Sequence, residues 1–383
     1  MRIAVLHEDV LVEPRVSGSV ETVKRFVGLG AEVVVASGAG LASGVSDADY
    51  EAVGASIAAD NAAAVAGADV VLGVRRPEAA TLKGARAGAL VIAIADPYGN
   101  EAALGEIAAT GTSLFAMELM PRITRAQVMD VLSSQANLAG YRAVVDAAAE
   151  FGRAFPMMMT AAGTVPAARV FVMGAGVAGL QAIATARRLG AVVSATDVRP
   201  AAKEQVESLG AKFIAVEDEE FKQAETAGGY AKQMSAEYQA KQAALTASHI
   251  AKQDIVITTA LIPGRPAPKL VSGEMVASMK AGSILIDLAV ERGGNVAGAV
   301  PGEVVTTANG VKIVGHLNVP GRLAATASQL YAKNLYAFVE TLIDKGSKSL
   351  AVKWDDELVK ATLLTKDGAV VHPNFAPAAA SAA

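Results

Sequence analysis

The sequence predicts an α/β protein built on two doubly wound parallel sheets joined by long helices. Three observations predict it. Short Val/Ile-rich runs alternate with helical runs along most of the 383 residues, the pattern of a parallel sheet covered on both faces. The alternation restarts near Ala168 as a second series. Between the first strand and first helix of that series stands Gly174-Ala-Gly-Val-Ala-Gly179, where a nucleotide-binding turn belongs. The fold class expected is therefore two Rossmann-like domains.

In the first series the candidate strands are Ile3–Leu6, Glu32–Ala36, Val70–Val74, Leu90–Ala95 and Ser113–Ala116. The helical run Val20–Leu29 stops on Gly30, as a helix C-terminus should. The second series reads as strand Val170–Met173, helix Ala178–Leu189, strand Val192–Thr196, helix Ala201–Leu209 and strand Lys212–Val216. Strands at Asp254–Thr259, Ser283–Leu288 and Lys312–Val314 complete it.

Two long proline-free helices, Arg125–Phe151 and Leu323–Leu342, separate the series. Helices of this length bridge domains, so the first domain is expected to be discontinuous, residues 1–125 with 323–383, and the nucleotide-binding domain to span 126–322 with its linking helix. The charged stretch Asp218–Gln242 contains Gly228, Gly229, Tyr230 and Met234. It reads either as a solvated helix–loop–helix or as a mobile lid with a glycine hinge. The Ala/Pro/Ser tail from Ala376 is expected to be unstructured.

Composition excludes several function classes. Hydrophobic residues make up 52% but aromatics only 4%, so the apolar content is mostly Ala, Val, Ile and Leu, which suits buried parallel strands. The net charge is −4, with both signs well mixed, and no clustered basic stretch suggests nucleic acid as a partner. The absence of cysteine rules out disulfides, thiolate metal sites and a cysteine nucleophile. Met1 leads directly into a strand, so no signal peptide is expected. The longest apolar stretches, such as Ala89–Ala95, fall far short of the roughly 20 residues that span a bilayer. A cytoplasmic protein without a metal site is the expectation. His7, His249, His316 and His372 are the four histidines. Only His316, just after a strand, is placed where it could touch a ligand.

The glycine motif carries specific chemistry. Gly174 permits a tight turn, Gly176 lets the backbone approach a pyrophosphate, and Gly179 lets the helix pack against the strand. The amides of Ala175, Gly176 and Val177, at a helix N-terminus, then face the phosphates. Asp197 ends the next strand, near the roughly 20-residue spacing of the carboxylate that takes the adenosine ribose hydroxyls. A carboxylate there repels a 2′-phosphate, so NAD is favoured over NADP. Arg199 is the one feature pointing the other way, since an arginine can receive that phosphate.

The second informative stretch is Met120–Gln135. If Thr124 caps a helix, Gln127, Asp130 and Ser133/Ser134 share one face, with Arg122 just before the cap. An arginine, an amide, a carboxylate and a hydroxyl together suit a nicotinamide carboxamide and its ribose; composition alone fits a solvated polar face better.

The runs MELMPRITRAQVMD (117–130), SSQANLAGYR (133–142), MMMTAAGTVP (157–166), VAGLQAIATA (177–186), AETAGGYAK (224–232), TTALIPG (258–264) and VGHLNVP (314–320) resemble the NAD(H)-binding component of proton-translocating nicotinamide nucleotide transhydrogenases. The resemblance is dense over residues 111–320 and looser elsewhere; the segment His7–Val16 and the region Ala93–Asn100 depart from it. It implies a homodimer that binds NAD(H) and passes hydride to NADP(H) on a partner subunit. A membrane-spanning partner would supply the proton channel and hold the chain at the inner face of the bacterial cytoplasmic membrane. It further implies that Arg122, Ile123, Thr124, Gln127, Val128, Met129 and Asp130 line the nicotinamide end, with Arg122, Gln127, Asp130 and Ser133 serving hydride transfer. Gly174, Ala175, Gly176, Val177 and Gly179 would hold the pyrophosphate, and Asp197, Val198 and Arg199 the adenosine ribose. Gly229 and Tyr230 would belong to the lid, with Gln242 and Leu261 closing around the nucleotide.

Alanine dehydrogenase shares the expected fold and is the alternative. Its chemistry needs a positioned acid/base group, supplied in that family by a lysine and a histidine of the first domain. The corresponding places here hold Arg75 and the histidine-free run Leu90–Tyr98, and an arginine stays protonated at neutral pH. Direct transfer between two nicotinamides exchanges no heteroatom proton and needs no such pair. A module that senses the NAD/NADH ratio without catalysis is the third reading.

Overall fold

The computed structural model describes residues 1–223 and 234–376. They fall into two units: Met1–Gln135 with Gly321–Ala383, and Ala136–Pro320. In the first unit, strands β1 (Arg2–Val5), β2 (Glu32–Ala36), β3 (Ser56–Ala58), β4 (Val70–Arg75), β5 (Leu90–Ile94) and β6 (Ser113–Ala116) form one parallel sheet in the order β3-β2-β1-β4-β5-β6. Successive strand residues point to opposite faces. Ile3, Val5, Val33 and Val35 thus pack with Phe26, Tyr331 and Phe338 on one side, while Ala4, Leu6, Val34 and Val71 pack with Leu104 and Ile107 on the other. Burial on both faces is why these strands read as unbroken apolar runs rather than alternating ones.

Helix Val20–Gly28 starts at a capping box between Ser19 and Thr22 and is released by Gly30 at φ +85°. Strand β3, three partly exposed residues at the sheet edge, is too short to leave a sequence pattern.

The second unit opens with an exposed hairpin of β7 (Met158–Thr160) and β8 (Gly163–Val165), which the sequence did not announce. Its main sheet comprises β9 (Arg169–Met173), β10 (Val192–Thr196), β11 (Lys212–Phe213), β12 (Ile255–Thr258), β13 (Ile284–Asp287), β14 (Val304–Thr306) and β15 (Lys312–Val314), ordered β11-β10-β9-β12-β13-β15-β14. All neighbours pair parallel except the edge strand β14, another element not expected. The chain winds one way from β9 to β11 and the other way from β12 onward. Gly174, following β9, therefore stands at the topological switch point, where open α/β sheets bind ligands. The strand expected over Lys212–Val216 ends at Phe213, because the Val216 N–H is taken at 2.9 Å by the Gln242 side chain instead of a neighbouring strand.

The unbroken helix expected over Arg125–Phe151 is two pieces: a 3-10 turn, Thr124–Met129, and an α-helix, Val131–Glu150. Asp130 causes the break. Its carboxylate accepts the Ser133 N–H at 2.8 Å and the Ser133 hydroxyl at 2.5 Å, so Asp130, and not Thr124, caps the helix. A side chain that satisfies an orphan amide at a helix start competes with continuation of the helix through it. Gln127 consequently does not share a helical face with Asp130 and Ser133.

Candidate dinucleotide-binding site

The three glycines of the turn do three different jobs. Gly174 has φ +106°, and a Cβ there would lie 2.4 Å from Thr259 Oγ1. A Cβ on Gly179 would lie 1.8 Å from the Gly174 carbonyl oxygen, so only glycine lets the helix pack this close to the turn. Gly176 has nothing within 4 Å of its Cβ position and faces open space. Helix Val177–Arg188 begins at Gly176 with no side-chain cap. Its first-turn amides are thus left for an acceptor from outside the chain, and the positive end of the helix dipole favours an anion there. The turn fits a pyrophosphate.

Asp197, at the end of β10, is bound into the same turn. One carboxylate oxygen accepts the Ala175 N–H at 2.7 Å; the other accepts the Arg199 N–H and Nε–H, each at 2.9 Å. Arg199 Nη2 donates in turn to the Ala175 carbonyl at 3.3 Å. Both polar groups of the Ala175 peptide are therefore held by two residues that spacing alone sets in opposition. Asp197 and Arg199 are partners, not competitors. Val198, between them, is exposed.

Several supports of this turn carried no motif. Thr259 Oγ1 donates to the Gly174 carbonyl at 3.1 Å. Fully buried Asn295 brackets Ala260, accepting its N–H at 3.1 Å and donating to its carbonyl at 2.9 Å. That shapes the loop on which Leu261 is half exposed. Gln242 ties the Val216 N–H to Thr196 Oγ1, next to Asp197. Gly140 lies inside helix Val131–Glu150, and a Cβ there would sit 2.1 Å from the Ala178 carbonyl oxygen. A glycine amid a helical pattern was a signal of close packing; a lone Thr or Asn gives none.

The Arg122–Ser133 segment belongs to the first unit up to its last residue. Arg122, Thr124, Gln127 and Val128 are exposed, Ile123 and Asp130 half-buried, and Met129 buried in the core. Asn334 holds the segment from behind. Its Nδ2 donates to the Val128 carbonyl at 2.8 Å, and its Oδ1 accepts from Ser134 Oγ at 2.7 Å. Gln135 continues the network, accepting Arg15 Nη1 at 2.8 Å. Arg15 pairs with buried Glu13 at 2.6 Å, and Glu13 also takes Arg75 Nε at 3.1 Å. Gly229 and Tyr230 lie outside the described residues.

His249 lies against the second sheet, with its Nε2 at 2.8 Å from Ser194 Oγ and its ring edge-on to Phe171. His7 Nδ1 meets the Ser37 carbonyl at 2.9 Å. Both are structural positions.

A glycine turn at the switch point of a doubly wound sheet, with an uncapped helix behind it and a carboxylate on the adjacent strand, defines the class of dinucleotide-binding α/β proteins. Comparison with known proteins narrows the class. Residues 4–139 match the model of the N-terminal domain of the alanine dehydrogenase/PNT family, and residues 143–373 that of its C-terminal domain. The chain is 56% identical over 381 residues to the first section of the two-piece NAD(P) transhydrogenase subunit alpha of Rhodospirillum rubrum, covering 97% of this chain and 98% of the relative. It superposes on a crystal structure of transhydrogenase from Sinorhizobium meliloti with a TM-score of 0.88 and 64% identity, covering 97% of this chain and all of the other. Alanine dehydrogenase of Halomonas elongata is more distant, 30% identical over 99% of this chain and 96% of that one. The chain belongs to the alanine dehydrogenase/PNT family, and within it to the transhydrogenase alpha subunits.

Proposed function

We propose that this chain is the NAD(H)-binding component of a proton-translocating transhydrogenase, passing hydride directly between NADH and NADP+ held on a partner subunit. The observation that carries the reading is the open, uncapped helix N-terminus at Gly176 with Asp197 hydrogen-bonded into the same turn. The amides of Ala175–Val177 suit a pyrophosphate, and the Asp197 carboxylate suits ribose hydroxyls while repelling a 2′-phosphate. Arg199 supports Asp197, and Gln242 and Leu261 complete the adenosine side.

The bound nicotinamide supplies the hydride; the chain supplies position and dryness. We assign orientation of the carboxamide and its ribose to Arg122, Gln127, Asp130 and Ser133. Ile123, Thr124, Val128 and Met129 form the backbone that carries them. Asp130 is suited to that work because Ser133 fixes its carboxylate, and Gln127 because its amide is exposed and reaches outward. Gly229 and Tyr230 are assigned to a lid on resemblance alone. No acid/base pair is called for, since no heteroatom proton moves.

NADP(H) belongs on the partner subunit, because the glycine turn with an acidic residue after it occurs once in this sequence. No helix among the described residues is long and apolar enough to cross a membrane. The proton path is therefore assigned to a membrane-spanning partner, which would hold this chain at the inner face of the cytoplasmic membrane. A homodimer is supported by the second unit's hairpin, where Met157, Met158, Met159 and Val165 are exposed, an apolar row that a second copy would cover.

The test is reconstitution. Purified chain mixed with a purified NADP(H)-binding partner is expected to show single-turnover hydride exchange, followed by stopped-flow absorbance. Absence of exchange with both nucleotides bound would overturn the reading.

A further inference from the structure

The N-terminal edge of the second unit's sheet, opposite the glycine turn, carries a second pocket. It has a volume of about 450 Å³, within the roughly 300–1,000 Å³ range of small-molecule sites. One wall is apolar: Phe151, Ala154, Val165, Pro166 and Ala167. The other carries Arg153, Arg169, Lys252 and Lys280 around a single carboxylate, Asp254. On a chain of net charge −4 this is a local reversal of sign.

The carboxylate does not neutralise the pocket. Asp254 Oδ1 is taken by Arg153 Nη2 at 2.5 Å and Oδ2 by the backbone N–H of Arg169 at 2.8 Å. Among the described residues, the side chains of Arg169, Lys252 and Lys280 make no salt bridge. Three like charges gathered without counter-charge repel one another, and an anion between them removes that cost. Arg153 is already immobilised, pinned by Asp254 and with its guanidinium 4.7 Å from the Phe151 ring centroid. A cation fixed beforehand loses little entropy when it binds an acceptor. Beside it the apolar wall has nothing polar to offer a free inorganic ion.

We propose that this pocket is a binding site for a small organic anion, a phosphate or carboxylate ester or acid with a planar or apolar body. The charged end would lie among Arg169, Lys252 and Lys280, and the apolar end against Phe151, Val165 and Pro166. The site is separate from the nucleotide turn. Strand β9 runs from Arg169 at the pocket to Met173 beneath Gly174, a separation of roughly 16 Å at ~3.3 Å per residue.

The probe is phenyl phosphate, which carries both parts, titrated calorimetrically into the full chain at low salt. Inorganic phosphate and phenol serve as the two halves. Phenyl phosphate is expected to bind saturably and about tenfold more tightly than inorganic phosphate, the weight of one covered ring face. Phenol alone is expected to give no saturable signal. Lys252→Glu and Lys280→Glu should each weaken phenyl phosphate about tenfold or more, the worth of one charge-assisted contact, while NADH affinity stays unchanged. The neutral variants Lys252→Gln and Lys280→Gln should give the same direction with a smaller effect. Equal affinity in wild type and both charge-reversed variants, or displacement of phenyl phosphate by NADH, would overturn the proposal. Because NADH is titrated separately, failure of the nucleotide reading leaves this result legible.

Discussion

The carboxylate of Asp197 accepts the backbone N–H of Ala175 at 2.7 Å across 22 residues of sequence. It joins the two parts of the nucleotide site into one rigid piece. The residue suited to the adenosine ribose also sets the glycine turn, and Arg199 closes the clamp from the carbonyl side.

Substitution of Asp197 should therefore be felt at the phosphates as well as at the ribose. Wild-type chain is expected to bind NADH in clear preference to NADPH by fluorescence titration. Asp197→Asn is expected to weaken NADH about tenfold, the scale of one charge-assisted hydrogen bond, and to narrow the preference, because Arg199 is then released toward a 2′-phosphate. Tighter binding of NADPH than NADH by the unaltered chain would refute the assignment.

The glycines offer a cleaner separation of folding from binding. Gly176→Ala meets no atom of the protein, so its melting temperature should match the parent while NADH affinity collapses. Gly179→Ala drives a methyl onto the Gly174 carbonyl and should cost about 1–3 kcal/mol of stability as well. If Gly176→Ala bound NADH normally, the turn would not be the pyrophosphate cradle.

Asp130 has two duties, a helix cap and an assigned ligand contact. Asp130→Asn keeps the cap and should leave stability within about 0.5 kcal/mol, whereas Asp130→Ala should lose about 1 kcal/mol. Both should slow hydride transfer in stopped flow more than they change the NADH dissociation constant, as should Gln127→Asn, since misplacement near 1 Å can cost about a hundredfold in rate. Unaltered transfer rates with weakened NADH binding would make these residues anchors only.

Glu8 ties the end of β1 to the irregular end of β4, accepting the Val74 N–H at 2.6 Å. Burial, together with the neighbouring Glu13 carboxylate, raises its pKa from 4.5 to about 7. Below pH 4.5 the group is protonated folded and unfolded alike. As pH rises from 4.5 to about 7 the unfolded chain releases the proton first, so stability falls through that window and levels off above it. Glu8→Gln should thus stabilise the chain by about 1–3 kcal/mol at pH 8 and by little at pH 4.5, measured by urea unfolding at both. A difference independent of pH would contradict this.

Alanine-dependent reduction of NAD is expected to be undetectable. Arg75 occupies the place where the alternative chemistry would require a base, and its guanidinium is engaged by Glu13 at 3.1 Å. Turnover near ~1 s⁻¹, the low end of ordinary enzyme rates, would bring alanine dehydrogenase chemistry to the front.

The sequence by itself determined the two parallel sheets, because strands buried on both faces must be written as apolar runs, and it determined the glycine turn, because no other residue tolerates those contacts. It also located Asp197, through spacing along one βαβ unit. Tertiary structure alone decided what those residues touch. That Arg199 completes Asp197 instead of opposing it depends on where the Ala175 peptide lies. That Asp130 ends one helix and begins another depends on its carboxylate finding the Ser133 amide rather than water. Thr259, Asn295 and Asn334 were invisible beforehand, since a single polar residue acquires a partner only when distant segments are brought within hydrogen-bond reach. The hairpin at Met158–Val165 escaped for the opposite reason: its strands are short and exposed, and without a buried face they impose no pattern on the sequence.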